Sequence, residues 1–377
     1  MKVLHFHASG LFGGVETFLI TIARYQSRFP DVQHVFGLCF DDRLANSLRE
    51  ENAQVEIVPP SRLRNPFSVF GTRAALRRLI AAHRPDAAVC HMSKSYYLLA
   101  SALRKAGVPV VYYMHGPMHG KLDPYDRLSK RTGAPDLLIG VSNHTTEMGK
   151  ALLFPDAVGT TINYPMPRPT SLYQIDPAAR VALRVELDTV ESDVLIFQAA
   201  RMNAWKGQPD LLSALALLKD EPGWVLWMAG GAQAPEEVVY EQSLKDQAAA
   251  LGIMDRVRFL GDRNDVARLL SAADIYCQAN TQSEGFSLSF TEAFSAGLPI
   301  VTTDCGSASE MINTETGILT PVHDAPALAA ALRSLIRDKD CRLRMGQAAI
   351  RRIEMLSDPE RQLGRLNAEL ARLVRTR

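Results

Sequence analysis

Residues 282–301 read QSEGFSLSFTEAFSAGLPIV and change in character along their length. The polar start, which holds Glu284 and Gly285, predicts a loop. The apolar residues that follow predict a helix that begins close to Phe290 and carries Glu292, and PIVTTD then predicts a buried strand. Together with the apolar run DIYCQA just before it, this stretch has the order strand, loop, helix and strand of a βαβ unit.

The same alternation extends in both directions from this stretch. Predicted strands are short apolar runs with amphipathic, helix-like stretches between them. In the first half they are KVLHF, HVFGLCF, QVEIV, AAVCH, VPVVYYM and LLIGVS, and in the second half VLIFQAA, WVLWMAG, RVRFLG, DIYCQA and PIVTTD. Strands that alternate with helices predict the α/β class with parallel sheets. The proline-rich stretch INYPMPRPTSLYQIDP interrupts the rhythm and predicts an extended linker.

A chain of 377 residues is long enough for two domains. We expect Rossmann-like domains over residues 1–170 and 171–356, facing a cleft to which the loops after each strand contribute. Residues 357–377 predict a final helix that starts at Ser357 or Asp358 and carries a leucine stripe, which must pack on another surface.

Composition excludes several classes of protein. With 47% apolar and 22% charged residues, the chain is an ordinary globular protein. The longest apolar runs are too short to span a membrane, and the start lacks a signal peptide, so we expect the cytoplasm. Five scattered cysteines without a CxxC pair argue against structural zinc or a redox motif.

Charge is distributed unequally between the two halves. Residues 1–170 hold 20 Lys and Arg against 13 Asp and Glu, whereas residues 171–377 hold 22 against 28. Within residues 61–84, here called the basic segment, six arginines occur without a carboxylate: Arg62, Arg64, Arg73, Arg77, Arg78 and Arg84. The segment suits either a solvated helix face or contact with anionic lipid or a pyrophosphate-bearing acceptor. No motif for nucleic acid accompanies it.

Two loops suggest binding of an anion. In HASGLFGGVET, residues 7–17, the glycines Gly10, Gly13 and Gly14 let the backbone approach a ligand at a helix N-terminus. In QAARMNAWKGQPDLL, residues 198–212, Arg201 and Lys206 follow a strand and suit a diphosphate. A purely structural turn and ordinary surface cations are the competing interpretations.

The acids in residues 282–301 are too far apart along one segment to form a glycosidase pair, because about 10 Å or more separates them. Carboxylates that accept hydrogen bonds from sugar or ribose hydroxyls are the better interpretation of Glu284 and Glu292. A glutamate that interacts with the helix dipole would explain Glu284 but not the second acid. The helix N-terminus would present N–H groups of residues 286–289 to an anion.

These motifs together resemble glycosyltransferase family 4, whose members are retaining enzymes of the GT-B fold. The resemblance rests on EGF at Glu284, on EAFSAGLPIV from Glu292, and on TTDCGSASEMI and GILTP after it. It also covers the glycine pair near the N-terminus, His115 in YYMHG, Ser142 in GVSN, and Arg201 with Lys206. It therefore spans nearly the whole chain. In this fold the final helix crosses back onto the first domain, which would give the leucine stripe its surface.

The resemblance implies a role for each matching residue. Arg201 and Lys206 would hold the donor diphosphate, Glu292 the ribose hydroxyls and Glu284 the sugar hydroxyls, while His115 would contact the donor sugar. The implied donor site also includes these residues: Gly13, Gly14, Arg258, Gly285, Phe286, Ser287 and Leu288. Arg258 is included in the donor site because the resemblance places the nucleotide base near RVRFLG, residues 256–261.

The implied reaction moves a sugar from a nucleoside-diphosphate sugar to a hydroxyl acceptor with retention of configuration. No metal or other cofactor is expected, since the cations and helix N-termini supply positive charge. The spacing of His119, four residues after His115, is taken as a coincidence and not as a metal-binding pattern. His5 and His7 are taken as structural.

We expect a lipid-linked or otherwise anionic acceptor, peripheral membrane contact, and a place in polysaccharide or glycolipid synthesis. The alternatives are a nucleotide-sugar epimerase and a non-catalytic nucleotide-sugar-binding subunit.

Overall fold

The computed structural model describes residues 1–10, 13–118, 122–167, 170–232 and 234–376. The chain divides into two compact units. The amino-terminal unit comprises Met1–Pro167 and Ser357–Arg377, and the carboxyl-terminal unit comprises Arg168–Leu356. The predicted division at residues 170 and 356 lies close to these limits.

The amino-terminal unit contains a seven-stranded sheet in which every strand pair is parallel, with the order β3-β2-β1-β4-β5-β6-β7. Its strands are β1 (Lys2–His7), β2 (Gln33–Leu38), β3 (Gln54–Ile57), β4 (Ala87–His91), β5 (Val110–Met114), β6 (Leu137–Gly140) and β7 (Gly159–Thr161). The central strands β4 and β5 are buried at every position, which explains why their sequences are apolar apart from His91. β7 was not predicted, because GTT is too short and too polar to be recognised.

Among the described residues of this unit, six helices precede the linker. They are α1 (Gly14–Arg24), α2 (Arg43–Glu50), α3 (Pro66–His83), α4 (Met92–Lys105), α5 (Pro124–Arg131) and α6 (Asn143–Leu152). The basic segment contains α3, whose start is fixed by Asn65 as N-cap and Pro66 as the first helical residue. Leu76, Leu79 and Ile80 are the apolar residues that α3 buries.

The carboxyl-terminal unit repeats the architecture with a six-stranded parallel sheet of order β10-β9-β8-β11-β12-β13. Its strands are β8 (Val194–Ala199), β9 (Trp224–Ala229), β10 (Val257–Gly261), β11 (Ile275–Gln278), β12 (Ile300–Thr303) and β13 (Gly317–Thr320). β13 corresponds to the GILTP motif and was not predicted as a strand. Trp224 and Trp227 are fully buried in β9.

The helices of the second unit lie between and after these strands. They are α7 (Pro177–Glu186), α8 (Gln208–Ala216), α9 (Pro235–Ala250), α10 (Val266–Ala272), α11 (Leu288–Ser295), α12 (Ala308–Met311), α13 (Ala325–Arg337) and α14 (Lys339–Ser357). Short 3₁₀ helices cover Gln26–Arg28, Thr170–Tyr173, Ala204–Lys206 and Met254–Arg256. The predicted α/β class with two parallel-sheet domains is confirmed.

The last helix, α15 (Pro359–Arg375), belongs to the amino-terminal unit. Asp358 caps it, and its leucine stripe is buried at Leu363, Leu366 and Leu370. Arg365 donates from Nη2 to the carbonyl of Thr161 at 2.8 Å. The leucine stripe therefore packs on the first domain as expected. Across the described ranges, we find no helix with the length and apolarity needed to cross a membrane.

Both sheets reverse their strand order at one point, which is where ligands bind in open parallel sheets. In the first sheet the reversal falls between β1 and β4, and in the second between β8 and β11. The loops that leave the carboxyl ends of these strands therefore mark the two candidate sites.

Candidate active site

In the carboxyl-terminal unit, Lys206 and Glu284 form an ion pair between Nζ and Oε1, although 78 residues separate them. The loops that follow β8 and β11 approach so closely that a Cβ on Gly207 would lie 1.6 Å from the carbonyl oxygen of Ala279. Gly207 also has a φ of 70°, which favours glycine. Asn280 donates to the other oxygen of Glu284 at 3.0 Å. Both charged side chains are mostly buried.

Arg201 lies at the end of β8, and its guanidinium reaches Glu237 at 2.7 Å. Its side chain is 64% exposed, and one nitrogen makes this contact, so other N–H donors of the guanidinium face solvent. A cavity of about 260 Å³ opens beside it. The lining residues come from the ends of β8, β9 and β10 and from α11: Ala199, Ala200, Arg201, Ala229, Gly230, Gly231, Asp262, Arg263, Val266 and Glu292.

Glu292 lies in α11 and lines the same cavity as Arg201. Burial raises the pKa of its carboxyl above the ordinary value. A buried carboxylate that lacks compensation gains from hydroxyl donors, which stabilise the charged form. The position thus suits recognition of a diol beside a cation.

The segment 284–288 leads into α11. Gly285, Phe286 and Ser287 are buried, and Ser287 is an N-cap whose side chain does not cap the helix. Gly306, with φ of 65°, approaches the backbone of Glu284 so closely that a Cβ would lie 2.6 Å from its nitrogen. The motif after β12 therefore fixes the backbone that presents Glu284. Leu288 is the first residue of α11.

Arg258 is not brought to this cavity. Its guanidinium donates to the carbonyl oxygens of Asp255, at 2.6 Å, and Asp188, at 2.8 Å. Asp188 lies in the loop that enters β8, at the opposite end of the sheet from Arg201. The structure thus gives Arg258 a structural contact in place of the expected position near the base, and Asp262 and Arg263 line the cavity instead.

In the amino-terminal unit, His115 directs both ring nitrogens into the domain. Nε2 lies 2.7 Å from Nδ1 of His91, and Nδ1 lies 3.0 Å from the hydroxyl of Tyr164. Burial, and secondarily the neighbouring His7, lowers the pKa of His115 well below its usual value. The ring is therefore neutral, and both of its nitrogens already have hydrogen-bond partners. Direct contact with a donor sugar was expected instead.

His115 is the end of a row of imidazoles that follows the strand order β2, β1, β4 and β5. His34 lies 3.0 Å from His5, and His5 lies 3.1 Å from His91. Burial lowers the pKa of His34 to about 4 and those of His5 and His91 well below the usual value. These histidines form a neutral hydrogen-bonded row across the sheet.

A larger cavity, of about 570 Å³, opens where β1 and β4 end. Its lining comes from the glycine loop and from the starts of α4 and α5: His7, Ala8, Ser9, Gly13, Gly14, Val15, Glu16, His91, Met92, Ser93, Lys94, Ser95, Asp123, Tyr125 and Asp126. Gly13 donates its backbone N–H to Glu16 at 2.7 Å, and Glu16 lies 2.6 Å from Nε2 of His7. His119 lies outside the described residues.

His7 and Glu16 line this cavity but were not predicted as site residues. Nδ1 of His7 is buried and has no hydrogen-bond partner in the part of the chain that the structure describes. Its alternation with His5 in β1 favours a structural role for this histidine. Its place at the last position of β1, directly before the glycine loop, was the available signal.

The comparisons with known proteins agree with this architecture. The protein-family model "Glycosyltransferase Family 4" matches residues 12–163, and the family model "Glycosyl transferases group 1" matches residues 180–352. The crystal structure of HepE of Anabaena in complex with UDP superimposes with a TM-score of 0.86 at 24% identity, covering 98% of this chain and all of that one. The fold is GT-B. The chain belongs to the family 4 type of glycosyltransferase, as the motifs indicated.

Two curated relatives show the range of similarity. A GDP-mannose-dependent alpha-(1-6)-phosphatidylinositol monomannoside mannosyltransferase of Mycobacterium tuberculosis (strain ATCC 25618 / H37Rv) is 28% identical over 72% of each chain. The lipopolysaccharide core biosynthesis mannosyltransferase LpsB of Rhizobium meliloti (strain 1021) is 33% identical. That match covers 34% of this chain and 36% of LpsB, so this chain spans about a third of that relative's length.

Proposed function

We propose that the protein is a retaining, metal-independent glycosyltransferase that moves a hexose from UDP or GDP to a hydroxyl acceptor in envelope polysaccharide or glycolipid synthesis. The observation that carries the proposal is the pairing of Lys206 with Glu284, from the loops that follow β8 and β11. The cavity lined by Arg201 and Glu292 opens at the carboxyl end of the same sheet. Cations for a diphosphate and acids for hydroxyls thus converge at the carboxyl ends of β8 and β11. The relatives named as mannosyltransferases and the UDP complex of HepE support the choice of donor.

The diphosphate would lie against Lys206 and Arg201. An ammonium has three N–H donors, so Lys206 can keep Glu284 and still donate to phosphate. As the bond between the anomeric carbon and the departing phosphate oxygen breaks, negative charge grows on that oxygen, and these cations stabilise it. The anomeric carbon bonds to the acceptor oxygen on the same face, and the acceptor proton passes to the departing phosphate oxygen.

Two acids would recognise the hydroxyl groups of the donor. Glu292 would accept from the ribose, which offsets the cost of its buried charge, while Glu284 would accept from the sugar. Gly285, Phe286, Ser287 and Leu288 would supply backbone N–H groups at the start of α11. Gly13 and Gly14 are proposed to meet the diphosphate from the amino-terminal unit.

The acceptor would bind in the cavity of the amino-terminal unit. A carboxylate only accepts hydrogen bonds, so Nε2 of His7 carries the hydrogen that bonds to Glu16. In the neutral imidazole this leaves Nδ1 as an acceptor without a partner. We include in the proposal that an acceptor hydroxyl donates to this nitrogen. His115 then acts from behind the cavity, through His91, instead of touching the donor sugar.

The basic segment supports a lipid-linked acceptor and peripheral contact with an anionic membrane. Phe67 is 87% exposed and Phe70 is 68% exposed on α3, which also carries the exposed Arg77 and Arg78. The guanidinium carbon of Arg77 lies 5.9 Å from the centre of the Phe70 ring. Exposed aromatic rings beside cations suit the interface of an anionic bilayer. The competing interpretation is a solvated face.

A panel of nucleotide sugars tests the proposed reaction. Thermal midpoints measured with UDP-, GDP-, ADP- and dTDP-sugars should rise for UDP or GDP donors, because a ligand of the folded state stabilises it. Nucleotide release should follow in a strong chelator. No rise with any donor would contradict the donor site. Release that requires added magnesium or manganese would contradict metal independence.

The same panel separates the alternatives. An epimerase would change the configuration of the sugar, and a non-catalytic subunit would bind the donor without release. Analysis of the sugar product by NMR, together with the nucleotide assay, distinguishes these outcomes from transfer with retention.

A further inference from the structure

A second, smaller cavity of the amino-terminal unit lies between α3 and α4 and has no place in the sugar-transfer reaction. Its volume is about 150 Å³, enough to hold a small anion. It is lined by Arg73, Arg77, Leu98, Ser101, Ala102 and Lys105. The arginines are four residues apart on α3, and the α4 residues follow helical spacing, so each helix contributes one face.

Arg73 is held in a fixed orientation at this cavity. Its guanidinium lies 4.5 Å from the centre of the Tyr97 ring and donates from Nη2 to the Tyr97 carbonyl at 2.9 Å. Nε of Arg73 is buried and has no hydrogen-bond partner among the residues that the structure describes. Arg77 is also oriented, because its Nε donates to the carbonyl of Arg73 at 3.3 Å.

The cavity collects positive charge without a counter-charge. Three of its six lining side chains are cationic, and its lining contains no carboxylate. Elsewhere in this unit Arg24 pairs with Glu51 and Arg49 pairs with Asp41, whereas Arg73, Arg77 and Lys105 form no ion pair with a described carboxylate. Like charges around one small cavity repel unless an anion occupies it.

We propose that this cavity binds a phosphate group. Arginine presents a planar fork that matches phosphate oxygens, Lys105 adds a point charge, and the Ser101 hydroxyl adds a donor. The buried Nε of Arg73 gains the partner that it lacks. The phosphate can come from a lipid headgroup or from a free phosphate compound, and both sources present the same oxygens to the two helices. The site is separate from the proposed diphosphate site, whose cations belong to the carboxyl-terminal unit.

Binding of inorganic phosphate and pyrophosphate to the intact protein tests the site by calorimetry. Arg77→Gln and Lys105→Gln should each weaken binding about tenfold, because each removes a charge-assisted contact. Arg78→Gln is the matched control, since Arg78 is exposed on α3 but does not line the cavity. Both test residues are largely exposed, so these variants should fold; Arg73→Gln would also remove the Tyr97 contact.

A second arm uses phosphatidylcholine vesicles with and without phosphatidic acid. Lys105 lies outside the basic segment, so loss of vesicle binding in Lys105→Gln assigns the phosphate to a lipid headgroup. Weakened binding of free phosphate in both test variants, with vesicle binding unchanged in Lys105→Gln, assigns it to a soluble compound. Failure of both arms, or an equal effect of Arg78→Gln on the binding of free phosphate, overturns the proposal. Nucleotide release is measured in parallel, so failure of the phosphate site is distinguishable from failure of the proposed transferase reaction.

Discussion

The two units share one topology but place opposite chemistry at the reversal of their strand order. Where β1 meets β4, a row of buried imidazoles is neutral, since burial lowers the pKa of His5, His91 and His115. Where β8 meets β11, Lys206 and Glu284 form an ion pair. The backbone arrangement thus determines where a ligand binds, and the residues at the strand ends determine which ligand it is.

The ion pair of Lys206 with Glu284, here called the charged site, also differs from the histidine row in the elements that position its side chains. Lys206 and Glu284 meet through loops, with Gly207 and Gly306 at close backbone approaches. The histidines project mostly from the strands themselves, and each is fixed by the next.

Loss of a cation should have the largest effect. Lys206→Ala and Arg201→Ala should each lower kcat by about 100-fold or more, the size typical of a lost transition-state donor. Lys219→Ala, an exposed lysine of the same unit, is the control and should retain full turnover. Near-normal nucleotide release in both test variants would show that the two cations do not act on the diphosphate.

Acid should destabilise the amino-terminal unit before the other one. Below about pH 6.5 the imidazoles of the unfolded chain become protonated, whereas the buried imidazoles stay neutral because burial lowers their pKa. The unfolded state therefore binds more protons, and the free energy of unfolding falls. Each neutral imidazole of the row contributes up to about 1.4 kcal/mol per pH unit.

The loss of structure with falling pH can be measured separately for the two units. The three tryptophans, Trp205, Trp224 and Trp227, all lie in the carboxyl-terminal unit, so their fluorescence reports that unit alone. Hydrogen exchange between pH 7 and 5 should show earlier loss of protection in β1 and β4 than in β8 and β9. Earlier loss in the carboxyl-terminal unit would be incompatible with the neutral histidine row.

Membrane contact, if it belongs to the amino-terminal unit, should depend on its arginines. Arg77→Gln with Arg78→Gln should weaken cosedimentation with anionic vesicles about thirtyfold at low salt, at about 1 kcal/mol for each cation. The control pair is Arg344→Gln with Arg351→Gln, two exposed cations of the other unit. Equal effects of both pairs, or no binding at low salt, would leave a soluble acceptor as the better interpretation.

The smallest effect should divide the two acids. Glu292→Gln should weaken binding of the bare nucleoside diphosphate and of the full donor about tenfold, whereas Glu284→Gln should affect only the full donor, because the sugar is its proposed partner. Calorimetry with both ligands decides the matter. Equal weakening of the bare nucleotide in the two variants would refute the division.

The charged residues of the donor site could be predicted because each lies next to a recognisable strand or helix start. Arg201 follows an apolar run, and Glu292 lies in a helix that a loop introduces. The ion pair itself could not be predicted, because it depends on the close approach of Gly207 to Ala279, whose loops are distant in sequence. Arg258 illustrates the limit: its strand was predicted correctly, but not the end of the strand at which the side chain finds its partners.

The histidine row could not be predicted for a different reason. His34, His5, His91 and His115 become neighbours only through the strand order β2-β1-β4-β5, which the alternation of strands and helices does not specify. The strand β7 was missed because its three residues, GTT, give no apolar pattern, and β13 was quoted only as part of the GILTP motif. The positions of the unpredicted groups thus depend on contacts between distant parts of the chain.

The return of α15 to the first unit determines an order of events during synthesis. Met166 donates its backbone N–H to Ser357 at 2.9 Å, so the chain leaves the amino-terminal unit and re-enters it at adjacent positions. All residues of the carboxyl-terminal unit leave the ribosome before α15 does. Domains fold as units as they emerge from the ribosome. The carboxyl-terminal unit can therefore complete its core before Leu363, Leu366 and Leu370 are available to the core of the amino-terminal unit.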